Sequence, residues 1–351
     1  MPARGAIEIA GITVGPGQRG TVDLPLPQLY TRTPLTMPVH VVHGRRPGPC
    51  LFVSAAIHGD ELNGVEIIRR VLERPALSRL RGTLLAVPIV NVYGVIHHSR
   101  YLPDRRDLNR SFPGSESGSL ASRLAHVFMN EIVARCEYGI DLHTAAFHRC
   151  NLPQIRADLG DEGTAQLAHA FAAPVVLDSR VRDGSLREAA AERGVKMMLF
   201  EAGEALRFDE FSIRIGVQGV MGVMRALEML PPARRAPRHE FEPIVARSSS
   251  WIRAAESGVL RTLAGLGARV CAGDLLAVVA DPFGKAETRV LADFDGVIIG
   301  RTQLPLVHAG EALFHIARFT GNDAGTVADQ IEALQSEQAD ADAPGTEPPL
   351  V

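Results

Sequence analysis

Along residues 38–230, unbroken apolar runs alternate with stretches in which apolar residues recur every three or four positions. Cys50-Leu51-Phe52-Val53-Ser54-Ala55-Ala56 is almost wholly apolar, the composition of a central strand covered on both faces. Residues 38–43 and 83–90 read as neighbouring strands, the second interrupted by Pro88. Residues 63–72 place Val65, Ile68, Val71 and Leu72 at helical spacing, and 120–136 does the same with Leu124, Val127, Phe128, Ile132 and Val133. Strands are predicted at 138–142, 174–177 and 196–200, with helices around 165–171 and 186–192. Strand–helix alternation of this kind predicts an α/β sheet. The first 37 residues differ: short alternating segments with Gly and Pro between them read as two or three strands.

The pattern changes again after residue 230. Residues 231–247, rich in Pro and Arg, read as a linker. Beyond it lies an internal repeat. Val270-Cys271-Ala272-Gly273-Asp274-Leu275-Leu276 is echoed 37 residues later by Val307-His308-Ala309-Gly310-Glu311-Ala312-Leu313, and Gly258-Val259-Leu260 is echoed 38 residues later by Gly296-Val297-Ile298. Two matching sets of short strands with Gly turns predict a two-fold all-β sandwich over 248–320, similar to the barrel-sandwich hybrid of lipoyl and biotinyl domains. Lys285 lies near the turn where those domains carry a modified lysine, but lacks the flanking residues of an attachment site. Residues 321–351 form an acidic tail, helical at 327–334 and disordered at 336–351. The predicted organisation is therefore N-terminal strands (1–37), a catalytic α/β domain (38–230), a linker (231–247), the β-sandwich (248–320) and the tail (321–351).

Composition narrows the classes. The chain has 351 residues, 46% hydrophobic and 22% charged, ordinary for a globular protein with a sizeable core. A formal net charge of −3 gives no bias toward nucleic acid or anionic membrane. No apolar run approaches the roughly 20 residues that span a bilayer, and the N-terminus lacks the apolar stretch of a signal peptide. The four cysteines, Cys50, Cys136, Cys150 and Cys271, show no CxxC spacing and read as free buried thiols of a cytoplasmic protein.

The chemistry is concentrated in four places. Ile57-His58-Gly59-Asp60-Glu61 follows one buried strand, and Asp141-Leu142-His143 follows another, with its histidine 85 residues after His58. His58, Glu61 and His143 together form the ligand set of a catalytic zinc site with an open fourth position. Strand ends at one edge of a sheet gather such groups. Between them sits Asp107-Leu108-Asn109-Arg110-Ser111-Phe112-Pro113-Gly114, and downstream comes Phe200-Glu201-Ala202-Gly203-Glu204. Glu201 follows an apolar run, and an apolar wall would raise a carboxyl's pKa toward a proton shuttle's range; Glu204 is the competitor.

These four motifs, in this order, resemble the succinylglutamate desuccinylase/aspartoacylase family over roughly residues 40–320. The resemblance implies a mixed-sheet, zinc-carboxypeptidase-like α/β domain holding one Zn2+ per chain. It implies that Asp107 orients His58, that Glu201 is the general base, that Arg100 is the electrophile facing the scissile carbonyl, and that Asn109 and Arg110 hold the substrate's α-carboxylate. Arg149, Arg156 and Arg187 are candidates for a second substrate carboxylate. The late tyrosine that aspartoacylases and carboxypeptidases bring to the pocket is missing, because the last tyrosine here is Tyr138. The expected activity is hydrolysis of a linear amide in a small N-acyl amino acid or related carboxylate, without nucleic-acid or membrane partners. The alternatives are a metallocarboxypeptidase acting on a peptide C-terminus and a non-catalytic protein that binds through the β-sandwich. That sandwich is expected to shape the cleft's rim, with homo-oligomer contacts as a further role.

Overall fold

The computed structural model describes residues 4–233, 243–319 and 323–341. Its main sheet runs in the order Arg19–Pro25, Thr36–His43, Arg81–Val87, Arg46–Ala55, Tyr138–Ala145, Lys196–Glu204, Arg149–Ala157. The four strands from Arg81–Val87 to Lys196–Glu204 are mutually parallel, and those flanking them on either side are antiparallel. Alternation along Arg46–Ala55 explains the unbroken apolar run there. Leu51, Val53 and Ala55 face a core shared with the helices Asn63–Leu72, Glu162–Phe171 and Glu210–Ala226. Cys50 and Phe52 face the other core, shared with Leu120–Glu131 and Leu186–Glu192. Both faces are covered, so no residue of the strand's inner half is free to be polar unless it has a partner.

Several expectations need correction. Helix 120–136 stops at Glu131 and continues only as a turn of 3-10 helix, Val133–Arg135. The 17-residue helix Glu210–Ala226 has no counterpart among the predicted elements; it buries ten residues, too many for a one-sided periodic stripe to stand out. The segment after His143 is itself a strand, Arg149–Ala157, which the apolar pattern does not mark. His143 and Glu201 lie within their strands, Tyr138–Ala145 and Lys196–Glu204, rather than after them. The linker is shorter than expected: Ile244–Ala246 is a strand parallel to Val175–Asp178. Helix Asp323–Ala341 extends past the expected helix at both ends, and Val327 and Ile331 pack on Val297, Ile299 and Ala317. Residues 234–242 and 342–351 lie outside the described residues. Among the cysteines, Cys271 is exposed rather than buried, while Cys50 and Cys136 place their sulfurs 3.2 Å apart.

The C-terminal repeat is realised as a two-fold exchange between sheets. Gly258–Thr262 and Leu275–Ala280 form a small antiparallel sheet with Glu287–Leu291 and Leu306–Val307. Gly296–Thr302 and Ala312–Arg318 instead join Ser248–Arg253 in the main sheet. Each half lends its short strand to the other: Gly258 pairs with Val307, and Gly296 pairs with Val270. The α/β sheet thus runs on into the sandwich through one antiparallel seam, where Arg149, Cys150 and Asn151 pair with Thr302, Arg301 and Gly300. Among the described residues no helix is long and apolar enough to cross a membrane.

Candidate metal centre and active site

The loop after Arg46–Ala55 carries His58 and Glu61, and the adjacent strand Tyr138–Ala145 carries His143. Side by side at the same edge of the sheet, the three side chains converge. One donor atom from each lies within 4.8 Å of the others, all three residues are buried, and no other His/Cys/Asp/Glu cluster among the described residues has this geometry. Gly59 makes the turn between the first two donors feasible. A Cβ there would sit 2.0 Å from the carbonyl carbon of Gly94, so only glycine lets the two backbones approach this closely.

The cluster fits a divalent metal. Nδ1 of His58 lies 2.7 Å from Glu61 Oε1, and Nδ1 of His143 lies 2.8 Å from Glu61 Oε2. The far nitrogens are taken by other carboxylates: His58 Nε2 lies 3.2 Å from Asp107 Oδ1, and His143 Nε2 lies 2.6 Å from Asp141 Oδ2. Imidazoles that ligate metals are characteristically fixed this way. Asp107 also accepts from the Asn109 backbone N–H and from Arg100 Nη2, so it caps a turn and braces a histidine at once. Asp141, whose Oδ1 accepts from Ser54 Oγ at 2.7 Å, is not among the residues expected from the sequence to support the metal. The signal is present there all the same: residues i and i+2 of a strand share a face.

Electrostatics bind the cluster together. Burial opposes ionisation of Glu61, but His58 and His143 hold its carboxyl far below the usual carboxylate range. Burial also disfavours a charged His143, yet Asp141 and Glu61 push it well above its ordinary value. Arg100 reaches this group directly, with Nη1 3.3 Å from Glu61 Oε1 and Nη2 3.0 Å from Asp107 Oδ2. The adjacent pair His97 and His98 is exposed and stands apart from the cluster.

The donors open into a cavity of about 250 Å³, also lined by Arg100, Asn109, Arg110, Arg149, Arg156, Arg187 and Glu201. Every residue the sequence put forward for chemistry or substrate therefore lines this cavity, except Asp107, which stands behind His58. Glu204 does not line it and lies 3.5 Å from Arg207 instead. A larger hollow of about 940 Å³ at the other ends of the strands brings together arginines, His43 and Glu228 but no set of metal donors.

One detail departs from expectation. Glu201 has polar neighbours rather than an apolar wall: Asn151 Nδ2 donates to its Oε2 at 2.6 Å, and Arg156 Nη2 lies 3.0 Å from the same oxygen. Arg110 is exposed and donates to the Asn109 carbonyl. Asn109 uses its Oδ1 to accept from the Leu186 N–H, which leaves its amide N–H groups for another partner. Arg187 is buried and donates to the carbonyls of Ser179 and Arg180. Burial first, then the charge of Arg156, lowers its guanidinium to about 10.

Arg182, Asn151 and Trp251 line the same cavity and are not singled out by the sequence. Trp251 comes from the C-terminal sandwich, and the Arg149 guanidinium lies 5.2 Å from the centre of its ring. No local motif marks these three, and Trp251 reaches the others only through the seam where residues 149–151 pair with 300–302.

Comparison with known proteins agrees with this arrangement. Residues 47–227 match the succinylglutamate desuccinylase/aspartoacylase catalytic domain. An N-alpha-acetyl-L-2,4-diaminobutyric acid deacetylase of Halomonas elongata is 26% identical over 312 residues, covering 86% of this chain and 91% of its own. The fold is shared with a succinylglutamate desuccinylase/aspartoacylase of Rhodobacter sphaeroides (TM-score 0.77, 22% identity, 86% of this chain and 96% of that one). It is shared equally with the product-bound ectoine utilization protein EutE (DoeB) of Ruegeria pomeroyi (TM-score 0.76, 23% identity, 85% and 94%). With more than half its length matched by that catalytic domain, and its His–Glu–His cluster inside the match, the chain belongs to the succinylglutamate desuccinylase/aspartoacylase family.

Proposed function

We propose that this protein is a zinc-dependent deacylase that hydrolyses the linear amide bond of a small N-acyl amino acid or related carboxylate. The observation that carries this reading is the buried His58–Glu61–His143 donor set opening into the same cavity as Glu201. Two nitrogens and a carboxylate suit zinc and leave a position open. When bound, zinc makes water acidic and polarises a carbonyl. Glu201 then takes the proton of the attacking water and returns it to the leaving amine, held in place by Asn151 and Arg156. Arg100 meets the charge developing on the acyl oxygen. Asn109 and Arg110 hold the α-carboxylate, the amide by its free N–H groups and the guanidinium by its planar fork.

The activity named for the Halomonas elongata relative, deacetylation of an N-acetyl amino acid, supports this reading over the carboxypeptidase alternative. So does a cavity of about 250 Å³, small for a peptide. Arg149, Arg156, Arg182 and Arg187 suit a substrate with a second anionic group. The test is a panel of N-acyl amino acids and dipeptides assayed with the zinc-loaded protein, alongside Glu201→Gln. We expect turnover confined to N-acyl amino acids, and a kcat lower by at least about 10²-fold in Glu201→Gln with KM little changed. Turnover of dipeptides alone would overturn the deacylase reading, and wild-type kcat in Glu201→Gln would overturn its base.

A further inference from the structure

We propose that Trp251 is a specificity-determining residue, the wall that limits which acyl groups the cavity accepts, so that the C-terminal sandwich selects the substrate while the α/β domain performs the chemistry. The proposal rests on the deacylase reading above and extends it to a residue in another part of the chain.

The argument starts from register. Trp251 pairs directly with His315, His315 with Gly300, and Gly300 with Asn151. Directly opposed residues project from the same face of a sheet, so these four form one row across the seam. The row ends at Asn151, whose amide donates to Glu201 at 2.6 Å. At an inter-strand spacing of about 4.8 Å, the Cα of Trp251 stands about 14 Å from that of Asn151. Gly300 lies between Asn151 and His315, whose side chains close over it. A Cβ there would lie 2.7 Å from Asn151 Oδ1 and 3.3 Å from His315 Cβ. The two ends of the row, Asn151 beside Glu201 and the indole of Trp251, both line the cavity, while Gly300 and the buried His315 between them do not.

The indole is held in place. Its ring stacks on His315 with centroids 4.7 Å apart and planes 6° from parallel, and His315 Nε2 is fixed by Ser249 Oγ at 2.8 Å. Burial, then the charges of Arg156 and Arg182, lowers His315 to about 3, so it stacks as a neutral ring at ordinary pH. The Arg149 guanidinium 5.2 Å from the indole centre adds a cation–π contact. Asn109 and Arg110, which would take the α-carboxylate, stand beside Asp107 and His58 rather than in this row. The acyl group is the part of the substrate left to run across the cavity toward Trp251. A fixed ring at that distance accepts a short acyl chain and rejects a long one.

Trp251 is the chain's sole tryptophan, so its emission reports directly on its side of the cavity. The substrates are N-acetyl, N-butyryl and N-hexanoyl derivatives of the amino acid whose N-acetyl form the wild type binds best. Titrating the N-acetyl compound into zinc-loaded Glu201→Gln should change Trp251 emission saturably, with the dissociation constant found by calorimetry. In Trp251→Ala, KM for the N-acetyl substrate should rise by about tenfold, the scale of a few lost apolar contacts, with the loss falling on KM rather than kcat. The hexanoyl-to-acetyl ratio of kcat/KM should rise by at least about tenfold, and Trp251→Phe should restore the wild-type ratio. An unchanged ratio in Trp251→Ala, or emission blind to bound ligand, would overturn the proposal. Calorimetry on Glu201→Gln with and without Trp251→Ala reads acyl-length preference without turnover. A wild type that hydrolyses nothing therefore sinks the deacylase reading, while binding still decides the role of Trp251.

Discussion

At the metal end of the cavity every donor is buried and every donor has a partner, whereas of four arginines elsewhere in its lining only one pairs with a carboxylate among the described residues. His58, Glu61 and His143 are tied to one another and to Asp107 and Asp141. Of Arg149, Arg156, Arg182 and Arg187, only Arg156 forms an ion pair among the described residues, and its partner is Glu201. The first region is complete in itself and ready for an ion. The second carries positive charge with few carboxylate partners, and at the buried Arg187 that charge costs free energy until an anion arrives. One region is built for permanence and the other for exchange, as a catalyst needs.

The largest effect should come from breaking the first region at its centre. We expect His143→Ala to lose the metal and to lower kcat by at least about 10³-fold, since several kcal/mol of transition-state stabilisation go with the ion. Metal analysis and turnover on the same sample check this. A variant without metal but with full activity would show that the cluster is structural and the comparison false.

The partnered character of the donors can be tested one layer out. Asp141→Asn keeps the shape but weakens the acceptor at His143 Nε2, and Ser54 Oγ loses a charged acceptor. Losing such a partner typically lowers metal affinity by about 10- to 100-fold. Competition with a chelating dye should show a drop in that range with the four arginines unaffected. If affinity is unchanged, the histidine is held by its strand alone.

The same contrast explains what is legible in the sequence. The metal end lies in short motifs at the ends of buried strands, so local order and residue chemistry are enough to pick out His58, Glu61 and His143, while Asp107 follows only from the family resemblance. The α/β class is equally visible, because strands covered on both faces leave long apolar runs such as 50–56. Asp141 needs only the two-residue period of a strand to be found. Asn151 and Trp251 have no such signal. Their proximity depends on Asn151 pairing with Gly300 and Trp251 with His315, pairings between residues 149 and 64 positions apart that no local pattern encodes. The seam also removes the expected boundary at 231–247, since Ile244–Ala246 already lies in the sheet.

The smallest expected effect on the folded protein tests the unmet charge itself. Arg187 is 8% exposed and has carbonyl and hydroxyl oxygens as acceptors but no carboxylate. Its pKa is lowered to about 10 by burial and then by Arg156. For a basic group that direction means the folded state holds the proton less tightly than the unfolded chain does. The charge therefore costs stability at every pH below about 10, on the order of a few kcal/mol, and the cost fades only as pH rises through the folded value toward 12.5. Arg187→Met removes this cost and gives up the hydrogen bonds to Ser179 and Arg180, so Tm of the free protein should stay the same or rise. Binding should move the other way, with KM for an N-acyl amino acid bearing a second carboxylate rising about tenfold against one that lacks it. A fall in Tm of about 5 °C or more, with equal losses for both substrates, would mean that Arg187 braces the segment 179–187 instead. The arginine region would then be structural like the metal end, and the contrast between them would disappear.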